Sequence, residues 1–139
     1  MASVLIVDDD ADIRLLLRLE LSAEGHQIAE AADGRAALEV IAADRPDLIV
    51  LDMMMPILDG WGVLAALDQA EAPPVVVITA MASDGDRHVA EVLEQGALDV
   101  VAKPFDPGWL VELVDAVLLV EPDEREGYRR RRLARAQRG

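Results

Sequence analysis

The stretch Val4-Leu5-Ile6-Val7-Asp8-Asp9-Asp10 sets four consecutive apolar residues directly against three carboxylates. A short continuous apolar run is the pattern of a strand buried on both faces, as in a parallel sheet; a half-exposed strand would alternate. The next segment has helical spacing. Ala11–Glu24 carries Ile13, Leu16, Leu17 and Leu21 on one face, and Gly25 stands at the capping position. The alternation then repeats along the chain. Gln27–Ala31 reads as a second strand, Asp33 caps a helix through Ala43, and Asp47–Asp52 reads as a third strand. Asp59-Gly60 opens a helix to about Gln69, broken by Ala72-Pro73-Pro74, and Val75–Thr79 is β-branched almost throughout. A fourth helix is expected from about Asp86 to Gln95, stopping at Gly96, and a fifth strand over Asp99–Ala102. Asp106 caps the next helix with Pro107 at its first position, and Leu110, Leu113, Val114, Val117 and Leu118 fill one face. This (βα)₅ pattern implies a parallel sheet with helices on both faces, a doubly wound α/β fold.

The chain has 139 residues, enough for one domain with a self-sufficient core. At 53% hydrophobic residues it is too apolar for a disordered chain, although its net charge is -14. It has no cysteine, which excludes disulfides and thiolate metal sites. The longest apolar stretches, such as Val75 to Ala82, fall far short of the roughly 20 residues that span a bilayer. The N-terminus lacks the charged region and cleavage site of a signal peptide. A soluble cytoplasmic domain is the expectation. Residues 1–120 hold 23 acidic against six basic residues, whereas residues 121–139 hold seven arginines against four acids. An acidic body repels nucleic acid and attracts cations or basic partner surfaces.

Ligands of doubly wound folds sit at the carboxyl ends of the strands. Here the first strand ends in Asp8-Asp9-Asp10, the third in Asp52, the fourth in Thr79-Ala80 and the fifth in Lys103-Pro104, and Lys103 is the only lysine of the chain. In a parallel sheet these four ends share one rim. Two or three carboxylates there form a hard oxygen site suited to Mg²⁺. A hydroxyl and an ammonium opposite them suit a phosphoryl group. Taken singly, each aspartate would fit a capping role and the lysine a solubilising one. Agreement among all four strand ends favours a site.

With these residues in view, the chain resembles the receiver domain of two-component response regulators. The resemblance rests on Val4-Leu5-Ile6-Val7-Asp8-Asp9, the run Leu51-Asp52-Met53-Met54-Met55-Pro56-Ile57-Leu58-Asp59-Gly60, Val75–Ala80 and Lys103-Pro104-Phe105. It covers about residues 2–120. It implies a flavodoxin-like five-stranded parallel sheet in order 2-1-3-4-5, and a division into a receiver domain over 1–120 and an Arg-rich extension over 121–139. It implies that Asp52 is the phosphoacceptor, with Asp9 and Asp52 as direct Mg²⁺ ligands, Asp8 a ligand through water and the Met54 carbonyl a further ligand. Thr79 and the Ala80 amide would hold phosphoryl oxygens, Lys103 would pair with the phosphate, and the Lys103-Pro104 bond would be cis. The implied partners are a sensor histidine kinase or histidine phosphotransfer protein and a downstream protein target, with a homodimer left open. The setting would be the bacterial cytoplasm, with no membrane. Such a protein catalyses only its own phosphorylation and dephosphorylation and is not an enzyme in the usual sense.

The chain departs from the family pattern in two places. The position three before the lysine is usually aromatic and here is Val100, and the helix between Thr79 and Lys103 is expected to be about two residues longer than usual. Both bear on the switch formed by Thr79 and position 100. With Val100 there, coupling is expected to run through backbone, reordering Ala80–Val89 and shifting the fourth helix. Met54 and Met81, two residues beyond Asp52 and Thr79, either shield an acyl phosphate from water or simply pack. An aspartyl-phosphate phosphatase of the haloacid dehalogenase type needs a second acid where Met54 stands. A phosphorylation-independent module of the same fold often lacks one of Asp8, Asp9, Asp52, Thr79 and Lys103, all present here.

His26 and His88 read as surface or capping residues and Trp61 as packing. Trp109 reads as core edge or exposed contact. The tail, with Tyr128 before Arg129-Arg130-Arg131-Arg132 and then Arg135 and Arg138, leaves a helical extension, a partner-docking arm, a phosphate-binding segment, a solvated end and the stub of a linker all open. Nucleic-acid binding is not expected, because no recognition motif accompanies the arginines.

Overall fold

In the computed structural model, which describes residues 2–67, 72–80 and 85–138, strands and helices alternate as the apolar pattern demands. The order is β1 (Ser3–Val7), α1 (Ala11–Ala23), β2 (Gln27–Ala31), α2 (Gly34–Ala43), β3 (Leu48–Asp52), α3 (Gly60–Ala66), β4 (Val75–Ala80), α4 (Gly85–Glu94), β5 (Asp99–Lys103) and α5 (Pro107–Leu118). A 3₁₀ turn over Pro122–Glu124 then leads into α6 (Arg125–Arg138). The five strands are parallel in order β2-β1-β3-β4-β5. This is the expected doubly wound, flavodoxin-like sheet.

Side chains alternate across each strand, so the continuous apolar runs feed two cores. Leu5, Val7, Ile49, Leu51, Val75 and Val77 face the side covered by α2, α3 and α4. Val4, Ile6, Leu48, Val50, Val76 and Ile78 face the side covered by α1 and α5, against Leu17, Leu21, Leu110 and Val114. Each fully buried Leu or Ile contributes about 1.5–3 kcal/mol relative to exposure. No helix among the described residues is long and apolar enough to cross a membrane.

Among the described residues, four helices begin on an aspartate whose side chain accepts from first-turn amides: Asp10 for α1, Asp33 for α2, Asp59 for α3 and Asp106 for α5, the last with Pro107 at the first turn. Gly25, with φ +90°, ends α1 in the left-handed conformation that glycine adopts without strain. Gly60 has a different reason. A Cβ there would lie 2.7 Å from Met53 Cα and 2.8 Å from the Asp52 carbonyl oxygen, so only glycine lets α3 start this close to the end of β3.

The third helix is shorter than its sequence pattern suggests. It ends at Ala66, where Leu67 turns to ψ 137° and leaves the helical region; residues 68–71, including the rest of the expected helix to Gln69, lie outside the described residues. Residues 81–84 do so too, and with them Met81 and part of the segment expected to reorder. Strand β5 runs one residue further than expected, because Lys103 pairs with Ala80.

Candidate functional site at the carboxyl rim of the sheet

The ladder register lines up the rim. Val7 pairs with Leu51, which brings the next residues, Asp8 and Asp52, level; Asp52 pairs with Ile78, one before Thr79, and Thr79 pairs with Ala102, one before Lys103. Asp8, Asp52 and Thr79 are buried and Asp9 is exposed. One ligand oxygen from each of Asp8, Asp9 and Asp52 falls within 4.8 Å of the others. Asp10 does not join them, because its carboxylate caps α1 through Asp12 N and Ile13 N.

Lys103 reaches into this cluster. Its Nζ lies 3.0 Å from Asp8 Oδ2 and 3.3 Å from Asp52 Oδ1. The Lys103-Pro104 peptide bond is cis, as the resemblance implies. Asp8 Oδ1 also accepts from Asp10 N at 2.9 Å, and Asp52 Oδ1 from Met54 N at 3.4 Å. Met54 itself turns its side chain outward, 70% exposed, so its backbone rather than its thioether faces the cluster. Ala80 is exposed at the end of β4, and Val100 is buried in the core, paired with Val77.

Burial, and after it the negative charge of Asp8, raises the Asp52 carboxyl from 3.8 to about 6, against the opposing pull of Lys103 and the Met54 amide. Burial alone would lower the Lys103 ammonium, but its bonds to Asp8 and Asp52 outweigh that and raise it. The cluster therefore carries more negative charge than one lysine neutralises. Hard oxygen donors, close spacing and an excess of buried negative charge together fit a small divalent cation such as Mg²⁺.

Without metal, the raised carboxyl should give the protein a distinct pH dependence. The folded state holds the Asp52 proton more tightly than the unfolded state does. The stability linked to that proton is complete below about pH 4 and is lost as pH rises through about 6. The difference between the two limits is on the order of 3 kcal/mol. Denaturant unfolding in chelator should show the wild type losing about this much relative to Asp52→Asn between pH 4 and pH 7, the other carboxylates cancelling in the comparison. A flat difference would contradict the raised carboxyl.

Several contacts around the site have little signature in sequence. Arg14 on α1 donates to the Asp8 carbonyl at 2.6 Å and pairs with Glu30 at 3.3 Å, bracing the end of β1. His88, read from sequence as a surface or capping residue, instead lies 3.2 Å from Thr79 Oγ1 through Nε2 and packs edge-on against Trp61. The available hint was its place one turn before buried Val92. His26 is likewise not a surface residue: its side chain is 8% exposed, accepts from Ala2 N through Nδ1 and meets Asp115 at 2.8 Å. Trp109 is 52% exposed.

A family model described as the response regulator receiver domain matches residues 4–115. The chain is 41% identical over 115 residues to a probable transcriptional regulator, ycf27, of Porphyridium aerugineum, covering 83% of this chain and 47% of that protein. It is 42% identical over 126 residues to the response regulator MprA of Mycolicibacterium vanbaalenii, covering 89% and 54%. The chain thus spans about half the length of these curated relatives. Among solved structures, the receiver domain of the Francisella response regulator 1452 superposes with a TM-score of 0.79 at 32% identity, covering 85% of this chain and 97% of that one.

Proposed function

The chain belongs to the response regulator receiver family of two-component systems, and we propose that it accepts a phosphoryl group on Asp52 in a Mg²⁺-dependent reaction. The observation that carries this is the approach of Lys103 Nζ to Asp8 and Asp52 beside a three-carboxylate cluster. We take residues 1–120 as the receiver and 121–139 as an extension of it. The donor is a histidine kinase or histidine phosphotransfer protein, and the output is binding of a downstream protein. The protein works in the cytoplasm.

Asp52 Oδ1 is already engaged by Lys103 and Met54 N, so we assign Oδ2 as the nucleophile. It attacks phosphorus in line, the phosphohistidine nitrogen leaves, and an acyl phosphate forms on the side chain. Asp9, Asp52 and the Met54 carbonyl would hold Mg²⁺ directly and Asp8 through water; the ion supplies charge neutralisation for an anionic carboxylate meeting an anionic donor. Lys103 neutralises phosphoryl charge from the opposite side, and the Thr79 hydroxyl and Ala80 amide donate to phosphoryl oxygens. The rigid strand ends hold these groups in reacting geometry before the donor arrives. The same carboxylate later loses its phosphate to water, so the protein catalyses only its own modification.

Incubation with a small phosphodonor and Mg²⁺, followed by intact and peptide mass analysis, tests this: one phosphate is expected, and it maps to the peptide containing Asp52. Phosphate elsewhere, or none, would overturn the reading.

Mg²⁺ is also expected to stabilise the fold. Two like charges at about 5 Å and an effective dielectric of about 20 repel by roughly 3 kcal/mol, partly offset here by Lys103. An ion at tens of times its dissociation constant adds about 2 kcal/mol, several degrees in melting temperature. Asp9→Ala should lose most of that gain. A melt insensitive to millimolar Mg²⁺ would contradict the metal assignment.

A further inference from the structure

Helix α4 touches the phosphoacceptor rim at one end and the C-terminal helix along its flank. At the rim, Thr79 is buried and its hydroxyl lies 3.2 Å from His88 Nε2. The imidazole also packs edge-on against Trp61, with ring centroids 5.9 Å apart. Along the flank, α4 packs against α6: Val89, Val92 and Leu93 share a core with Ala136 and Leu133. A polar clasp secures α6 beyond that core. Tyr128 Oη donates to Asp99 Oδ2 at 2.5 Å, Arg132 Nε meets Asp99 Oδ1 at 2.7 Å, and Arg132 also donates to the Val100 carbonyl. Asp99 is buried under these contacts, so α6 is a docked element and the face of α4 and β5 beneath it is covered.

A threonine hydroxyl has one proton to give. We propose that His88 is a positioning residue that latches the site to α6: with no phosphate on Asp52, Nε2 accepts the Thr79 proton and holds α4 in the register that seats α6. A phosphoryl oxygen, a charged and stronger acceptor, takes that proton instead; α4 loses its tie to β4, and α6 loosens from α4 and β5. This rests on the phosphoacceptor reading above and adds the relay and its output. Because coupling is reciprocal, loosening α6 must also tighten binding of the phosphoryl group.

Beryllofluoride with Mg²⁺, as a phosphoryl mimic on the full chain, tests the latch through two readouts: its affinity, and amide exchange across Arg125–Ala136. In the wild type, exchange across α6 should rise severalfold when the mimic binds. His88→Leu should bind it about 3- to 10-fold more tightly, the scale of one hydrogen bond, with α6 exchanging fast whether or not it is bound. His88→Gln, which keeps an acceptor, should restore wild-type behaviour. Leu133→Asp, which unseats α6 from the other side, should tighten binding by a similar factor, and should add nothing on top of His88→Leu. The latch is overturned if α6 stays equally protected in wild type saturated with the mimic, a result that needs no variant. It is overturned too if His88→Leu weakens binding, since His88 would then be aiming the hydroxyl at the phosphate. Failure of the wild type to bind the mimic at all would remove the phosphoacceptor reading itself, and the latch with it.

Discussion

Asp52→Asn is expected to take up no detectable phosphate from a small phosphodonor in Mg²⁺, a loss of at least about 10³-fold, while remaining folded. The chemistry allows little else. A carboxamide oxygen is a far weaker nucleophile than a carboxylate, and covalent catalysis needs the activated nucleophile itself. The neighbouring acids are poor substitutes. Asp8 has one oxygen on the Asp10 amide and the other on Lys103, and Asp9 is exposed, whereas the lysine pairs with Asp8 and Asp52. The fold should survive because Asn has the same shape and removes one of two buried carboxylates that repel each other, so the variant should be at least as stable as the wild type at neutral pH. Intact mass after incubation, with hydroxylamine cleavage to identify an acyl phosphate, reads the outcome. Undiminished phosphate on the variant would move the acceptor elsewhere.

The fold is legible because a parallel sheet writes itself into sequence twice, as continuous apolar runs and as the helices between them. Val4–Val7 and Val75–Thr79 can be placed within a residue, and so can the capped start of α5 at Asp106-Pro107. The convergence of Asp8, Asp52, Thr79 and Lys103 is legible for the same reason, since parallel strands bring their ends to one rim whatever the exact register. Harder to read is anything fixed by contact between distant elements. The end of α3 at Ala66 is not marked by a local breaker; the prolines come several residues later. His88 belongs to a helix whose sequence hints that one imidazole turns inward only through its place one turn before Val92. The tail is the clearest case. Its composition leaves a helical extension, a docking arm and a solvated end equally open; the segment is a helix in which Arg132 and Tyr128 are spent on one buried aspartate, and Leu133 and Ala136 are too few to announce an apolar face. Asp99 likewise has the local sequence of an ordinary strand-edge acid.

Lys103→Met should separate the two jobs of the cluster, metal binding and phosphoryl acceptance. The ammonium is one of the influences that lower the Asp52 carboxyl toward its value of about 6, against burial and Asp8. Without it the carboxyl must rise further, so at pH 7 a larger share of Asp52 is protonated and cannot attack. The charge that would meet the incoming phosphoryl is lost as well. Removing one electrostatic stabiliser of this kind typically costs about 10²–10³ in rate, and the residual rate should climb as pH is raised, following the displaced carboxyl. Mg²⁺ affinity should move the other way. The lysine competes with a cation for Asp8 and Asp52, which it touches at 3.0 and 3.3 Å, so above the displaced carboxyl pKa the variant should bind the ion at least as tightly as the wild type. Phosphorylation rates against pH, with Mg²⁺ titrations alongside, distinguish this from a collapsed site, which would lose both properties together. A variant that phosphorylates at the wild-type rate would mean that the lysine only neutralises resting charge, with no part in the reaction.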